Sequence, residues 1–132
     1  MKTVIVLDVR ANQDALRTAA RDLGRAFTVR ELHEAARHRR AALGLTTAYR
    51  AVERWRRQGV AEQAGVRDGE ALFVLCEHGG HHHHVVCVAC GAEIVLDPCP
   101  LGDLRQAVEA AGFRLEDDAL GAIPGRCGQC WS

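Results

Sequence analysis

Aromatic side chains are scarce in this chain: three Phe, two Trp and one Tyr among 132 residues. Any core must therefore be aliphatic, and small domains with modest cores often rely on a metal staple. No stretch approaches the roughly 20 apolar residues that span a bilayer, which excludes a helical membrane protein. A secretory signal is missing as well, because the apolar run Val4-Ile5-Val6-Leu7 is short and Asp8 interrupts it. The expectation is a cytoplasmic protein, in which six cysteines with paired spacing favour metal over disulfides. The chain also lacks a His-Glu-x-x-His motif and the His-x-Glu with Pro-Cys-x-x-Cys of zinc deaminases. Those absences count against a zinc-dependent enzyme, which competes here together with a thiol redox protein.

What is present is concentrated near the C-terminus. Cys87/Cys90 and Cys127/Cys130 form two Cys-x-x-Cys pairs, and four thiolates so arranged suit a closed, tetrahedral structural zinc site. His81-His82-His83-His84 and Cys76 supply further borderline ligands, more than one zinc can use. The surplus points to a second, variable metal site, a pattern that fits sensing better than catalysis. Redox pairs or buried thiols are the competing reading of the four cysteines.

Net charge is zero but unevenly divided: residues 1–65 carry 13 Lys/Arg against 7 Asp/Glu, and residues 66–132 carry 4 against 10. A basic half of this kind fits a polyanion partner. Its helical periodicity is clear from Asn12 to Gly59. Leu16, Ala19, Ala20 and Leu23 recur at three and four before Gly24, and Thr28-Val29-Arg30-Glu31 has the form of a capping box. A third helix follows Gly44, with Thr46 or Thr47 as its cap, and stops at Gly59. Val60–Val66 and Glu70–Cys76 read as strands joined by a tight turn at Arg67-Asp68-Gly69. Met1–Arg10, with its β-branched run, reads as a strand or an irregular arm. His33 reads as a packed helix residue.

Three helices and a hairpin are the order of a winged helix-turn-helix, whose third helix enters the major groove of DNA. Arg50, Arg54 and Arg57 recur on one face of that helix, opposite Val52 and Trp55, while Thr46, Thr47 and Tyr49 stand at its start. After a hinge, strands at Val85–Val88 and Glu93–Leu96 flank the first cysteine pair. A helix at Pro100–Ala111 and a strand at Phe113–Ile123 then deliver the second. The expected fold is α+β: a winged helix-turn-helix over residues 1–76, a hinge over 77–84, and a small α/β domain over 85–132.

The stretches Gly44-Leu45-Thr46-Thr47-Ala48-Tyr49-Arg50, His81–His84, Cys87-Val88-Ala89-Cys90-Gly91 and Cys127-Gly128-Gln129-Cys130 together resemble the ferric uptake regulator family, most closely its zinc uptake regulator branch. The resemblance implies a dimeric, metal-activated repressor that binds an inverted-repeat operator on double-stranded DNA, with a C-terminal dimerisation domain. It also implies a sensory zinc site at the hinge, matched here by Glu62, Cys76, His82 and His84. Zinc sensors commonly carry Asp where Glu62 stands. Manganese or iron at a regulatory site is the alternative within the family. A further family site would use His81 and His83, with Asp103 for the helix carboxylate and Asp118 where a late histidine is usual. Cys99 has no assigned role, and the N-terminus, with Arg10 and Gln13, departs from the basic opening usual in the family.

Overall fold

The structure, a computed structural model, describes residues 2–76, 83–96, 102–115 and 122–131, with side chains from Val9 onward in the first helix. Its fold is α+β. Helices α1 (Lys2–Leu23), α2 (Val29–Arg37) and α3 (Leu45–Arg57) precede a hairpin of β1 (Ala61–Arg67) and β2 (Glu70–Leu75). Strands β3 (His83–Cys87) and β4 (Glu93–Leu96), helix α4 (Gly102–Ala110) and strand β5 (Ala122–Gly125) follow. No helix among the described residues is long and apolar enough to cross a membrane.

The helical half builds an aliphatic core, with Leu16, Leu32, Ala36, Ala48 and Val52 buried around Phe27 and Trp55. Each helix contributes the face its periodicity marks. The capping box forms as expected: Glu31 N donates to Thr28 Oγ1 at 3.2 Å, and Thr28 N donates to Glu31 Oε1 at 3.1 Å. His33 packs as expected, its Nε2 lying 2.7 Å from Leu43 O.

Two local expectations are corrected. Residues 2–10 are neither strand nor irregular arm but the first turns of α1. The β-branched side chains there cost only about half a kcal/mol each, and a helix already nucleated over Asn12–Leu23 extends at that cost. The cap of α3 is the backbone of Gly44, extended at φ −85° and ψ 155°, rather than Thr46 or Thr47, both of which lie inside the helix. Glycine serves at an N-cap with little penalty.

The β1–β2 hairpin closes where the sequence places it: Asp68 and Gly69 take φ of 52° and 81°, the two positive values of a type I′ turn. Two ion pairs tie this hairpin to α2. Arg30 meets Glu70 at 2.7 Å, and Arg67 meets Glu31. Phe27 and Phe73 exchange backbone hydrogen bonds at 2.9 and 2.8 Å, so the link between α1 and α2 is also bound to the hairpin.

The second sheet has the order β4-β3-β5, with β3 antiparallel to β4 and parallel to β5. Of the strand expected over Phe113–Ile123, residues 113–115 are not extended in a sheet and β5 begins at Ala122. Residues 116–121 of that expected strand lie outside the described residues. Ala26, Ala64, Val74 and Val86 form a small second core that joins the two halves, with Ala122 packed on it.

Glu31 is the node of the hairpin attachment. Burial pushes its carboxyl up, but the Thr28 backbone hydrogen bond and the guanidinium groups of Arg25 and Arg67 outweigh this and hold it below the ordinary range. Glu31→Ala removes the return half of the capping box and the ion pairs of Glu31 with Arg25 and Arg67, at a cost of about 1–2 kcal/mol in urea unfolding near neutral pH. A carboxyl depressed by folding stabilises above its unfolded value. The gap between wild type and variant therefore narrows once pH falls below 4.5, as Glu31 takes up its proton.

Candidate metal centres and recognition helix

Parallel pairing of β3 with β5 sets Cys87 opposite Gly125, which carries Cys127 and Cys130 to the first cysteine pair. Each pair sits on a tight turn. Gly91 N donates to Cys87 O at 2.8 Å in one, and Cys130 N donates to Cys127 O at 2.9 Å in the other. The four sulfur atoms lie within 4.8 Å of one another, and Cys90 Sγ is 3.7 Å from Cys127 Sγ. A disulfide needs about 2.05 Å. A tetrahedron of Zn–S bonds near 2.3 Å has edges of about 3.8 Å, so the four residues fit zinc.

The protonation pattern agrees with a cluster shaped for a cation. Backbone hydrogen bonds from Cys127 and Cys90, against some burial, hold the Cys87 thiol down at about 6. Hydrogen bonds with Cys127 and Cys87 push Cys130 up to about 12. Thiols this close do not all ionise without a positive charge among them.

A second group gathers Glu62, Cys76 and His84, again with donor atoms within 4.8 Å of one another. Glu62 comes from β1, where it faces Val74 of β2. Cys76 ends the hairpin, its N–H donating to Val60 O at 2.6 Å. His84 comes from β3 and is 2% exposed. Glu62 Oε2 is buried without a hydrogen-bond partner among the described residues. A buried carboxylate oxygen left so is costly, and a cation would satisfy it. The mixture of one carboxylate, one thiol and one imidazole suits zinc and is tolerable to iron(II) or manganese.

His82 lies outside the described residues, as do His81 and Asp118 of the further set and Cys99. Of that set the structure places His83, buried on β3, and Asp103, exposed in the first turn of α4. Glu93 escaped the sequence reading: its Oε2 is 3.2 Å from His84 Nδ1. The β3–β4 register explains the contact. His84 pairs with Val95, so Glu93 is its diagonal neighbour on the same face. The contact is one of proximity between a carboxylate and the ring, which sets an acidic group beside His84.

On α3, Ala48, Ala51, Val52 and Trp55 are buried, leaving Thr46, Tyr49, Arg50 and Arg57 exposed on the other side. Thr47 and Arg54 are half-buried. Arg54 faces a groove toward α1, where Arg17 stacks over the Trp55 ring at 5.5 Å.

The family model described as "Ferric uptake regulator family" matches residues 14–122. This chain belongs to the ferric uptake regulator family. That places it among regulators rather than enzymes. It is 35% identical over 89 residues to the ferric uptake regulation protein of Legionella pneumophila, a match covering 67% of this chain and 64% of that protein. The match thus spans just under two thirds of that relative's length. Likeness to the ferric uptake regulation protein of Bordetella parapertussis is 28% over 126 residues, 95% of this chain and 83% of that one. The crystal structure of FurB from M. tuberculosis, a zinc uptake regulator, is similar at a TM-score of 0.53 and 28% identity, over 94% of this chain and 95% of that one. The four-cysteine cluster of this family member could hold zinc.

Because its neighbours hold the Cys87 thiol well below the ordinary range, it is more ionised at neutral pH than a free cysteine and contributes less than a full proton when metal enters. Loading the four cysteines with zinc at about pH 7.5 should release fewer than four protons per ion, read with an indicator dye in weakly buffered solution. The count should rise as the starting pH is lowered through about 6, where Cys87 regains its proton.

Proposed function

We propose that this chain is a metal-dependent transcriptional repressor of metal-uptake genes, active as a homodimer on an inverted-repeat operator. The four-cysteine site is its fixed metal, and Glu62, Cys76 and His84, with His82 as fourth donor, form its zinc sensor. The observation that carries this reading is the convergence of donors from the hairpin and from β3, with a buried carboxylate oxygen left unsatisfied between them. On this reading residues 1–76 bind DNA and residues 83–132 dimerise; the hinge expected over 77–84 is shortened at its end, because His83 and His84 are paired in β3.

The exposed face of α3 supports the DNA assignment. Arg50 and Arg57 can meet phosphates or base edges, with Tyr49, Thr46 and Thr47 at the end of the helix that enters the groove. Arg54, half-buried and turned toward α1, supports this face less than Arg50 and Arg57 do. Apolar side chains left in solvent support the dimer: Ile94 and Val95 on β4, Leu104 on α4, Phe113 and Trp131. A cytoplasmic location follows from a DNA target.

Zinc at the sensor would supply one positive charge centre common to the hairpin and to β3. Glu62 and Cys76 would then hold the hairpin, and so the helical half bonded to it, against His84 on the second sheet. Two such halves per dimer would present their α3 helices at a fixed separation, matching half-sites one helical turn or a multiple apart. DNA affinity rises only if the donors come together more favourably in the DNA-competent arrangement than in others. A second reading, an iron- or manganese-responsive regulator, is favoured by the names of the curated relatives, which are ferric uptake regulation proteins. His83 and Asp103, with His81 and Asp118, would then belong to the effective sensor.

The test is operator binding by Cys76→Ser in a protein that keeps its four-cysteine zinc. The zinc-induced gain in affinity, on the order of 5–150-fold for couplings of this kind, should vanish. Retention of the full gain removes Cys76 from the switch, and activation by iron(II) or manganese but not zinc favours the second reading. Arg50→Ala and Arg57→Ala should each weaken DNA binding, and each lost phosphate contact should reduce the slope of log affinity against log salt by about one.

A further inference from the structure

The first Cys-x-x-Cys turn is wedged between two parts of the helical half. On one side Ala26 N donates to Gly91 O at 2.8 Å, while Gly91 N donates back across the turn to Cys87 O at 2.8 Å. On the other side Val88 stands against Gly65, at the point where β1 loses register with β2 between Gln63 and Val66. Val88 N donates to Gly125 O at 2.9 Å, so the turn is also bound to the end of β5.

Both meeting points are glycines in the left-handed region, with φ of 82° at Gly91 and 77° at Gly65. A Cβ at Gly91 would lie 2.7 Å from Ala26 O. One at Gly65 would lie 2.9 Å from Pro124 Cβ and 3.2 Å from Val88 Cγ1. Gly128, in the second Cys-x-x-Cys turn, has nothing within 4 Å of that position. The first turn alone is therefore shaped for close backbone approach to another segment.

Ala26 is a consequential place to grip. Phe27 next to it is bonded in both directions to Phe73 of the hairpin, and Thr28 caps α2. Three successive residues thus join the cysteine turn, the hairpin and the helix that precedes α3.

We propose that the Cys87–Gly91 turn is a docking wedge that seats the helical half and its hairpin on the β3–β5 sheet, so that occupancy of the four-cysteine site is coupled to the placement of the DNA-binding elements. Gly91 and Gly65 are its positioning residues. Cys87 and Cys90, once held at one centre, fix the turn between them and with it the direction of the Gly91 carbonyl. The inference rests on the four cysteines holding zinc and, for its effect on DNA, on the regulator reading above.

The experiment is amide hydrogen exchange by NMR on the full zinc-loaded chain, with zinc content and operator affinity measured alongside. Gly91→Ala and Gly65→Ala should both keep the four-cysteine zinc, exchange the Ala26 amide at least about tenfold faster, and bind DNA more weakly. Gly128→Ala should match wild type in all three readouts. Chelation of zinc from the wild-type four-cysteine site should also speed exchange at Ala26 while Leu32, inside α2, stays protected. Unchanged Ala26 protection in Gly91→Ala, or after zinc removal, overturns the proposal, and so does faster exchange with undiminished DNA affinity. If Gly91→Ala does not fold, Gly65→Ala carries the same decision, since it leaves the turn's own peptide untouched. Zinc-independent DNA binding by wild type would defeat the sensor reading but leave the exchange result standing.

Discussion

The meeting of four sulfur atoms is the contact on which the C-terminal half depends. Helix α4 buries none of its side chains, β4 is exposed along most of its length, and β5 is four residues long. The aromatic residues of this half, Phe113 and Trp131, are 74% and 76% exposed. Such elements cannot enclose an apolar core of their own. What holds the end of β3 to the segment after β5 is the cluster of Cys87, Cys90, Cys127 and Cys130. The thiols alone would not do this, because one is held near 6 while another is pushed to about 12, the behaviour of groups that compete for protons at close range. A bound cation turns the same crowding into attraction.

The helical half has the opposite character. Phe27, Leu16, Leu32, Val52 and Trp55 make a continuous core there, and the hairpin is attached by ion pairs and by the Phe27–Phe73 bonds. Charge is distributed accordingly. Most of the basic side chains stand on these helices, and Glu31, one of the few acidic ones, is used to bind Arg25 and Arg67 inside the structure. The arginines on the exposed side of α3 leave that face net positive.

Local signals were legible in the sequence, and distant ones were not. The Thr28–Glu31 capping box and the Asp68-Gly69 turn are each decided within four residues, and both form as read. The two cysteine pairs were legible as a set because their spacing encodes a chemistry rather than a contact. The start of α1 was misread because β-branched residues carry only a weak preference, which an adjoining helix overrides. Glu93 beside His84 depends on the β3–β4 register, and Gly65 and Gly91 acquire meaning only when Pro124 and Ala26 arrive next to them. Nothing within a few residues of either glycine announces those partners.

Strand β3 links the two donor groups by covalent geometry. His84 and Cys87 lie three residues apart in it, paired to β4 on one side and β5 on the other. A strand rises about 3.3 Å per residue, so the two donors sit on the order of 10 Å apart and cannot change that separation while the sheet persists. If the four-cysteine site is always filled, His84 is the stationary member of the proposed sensor. Glu62 and Cys76, carried by the hairpin, are then the members whose approach can vary. Among the described residues the buried apolar contacts between the halves centre on Ala26, Ala64, Val74 and Val86, with Ala122 packed against them. A seam that small leaves the free energy of one metal–ligand set large enough to decide how the halves are joined.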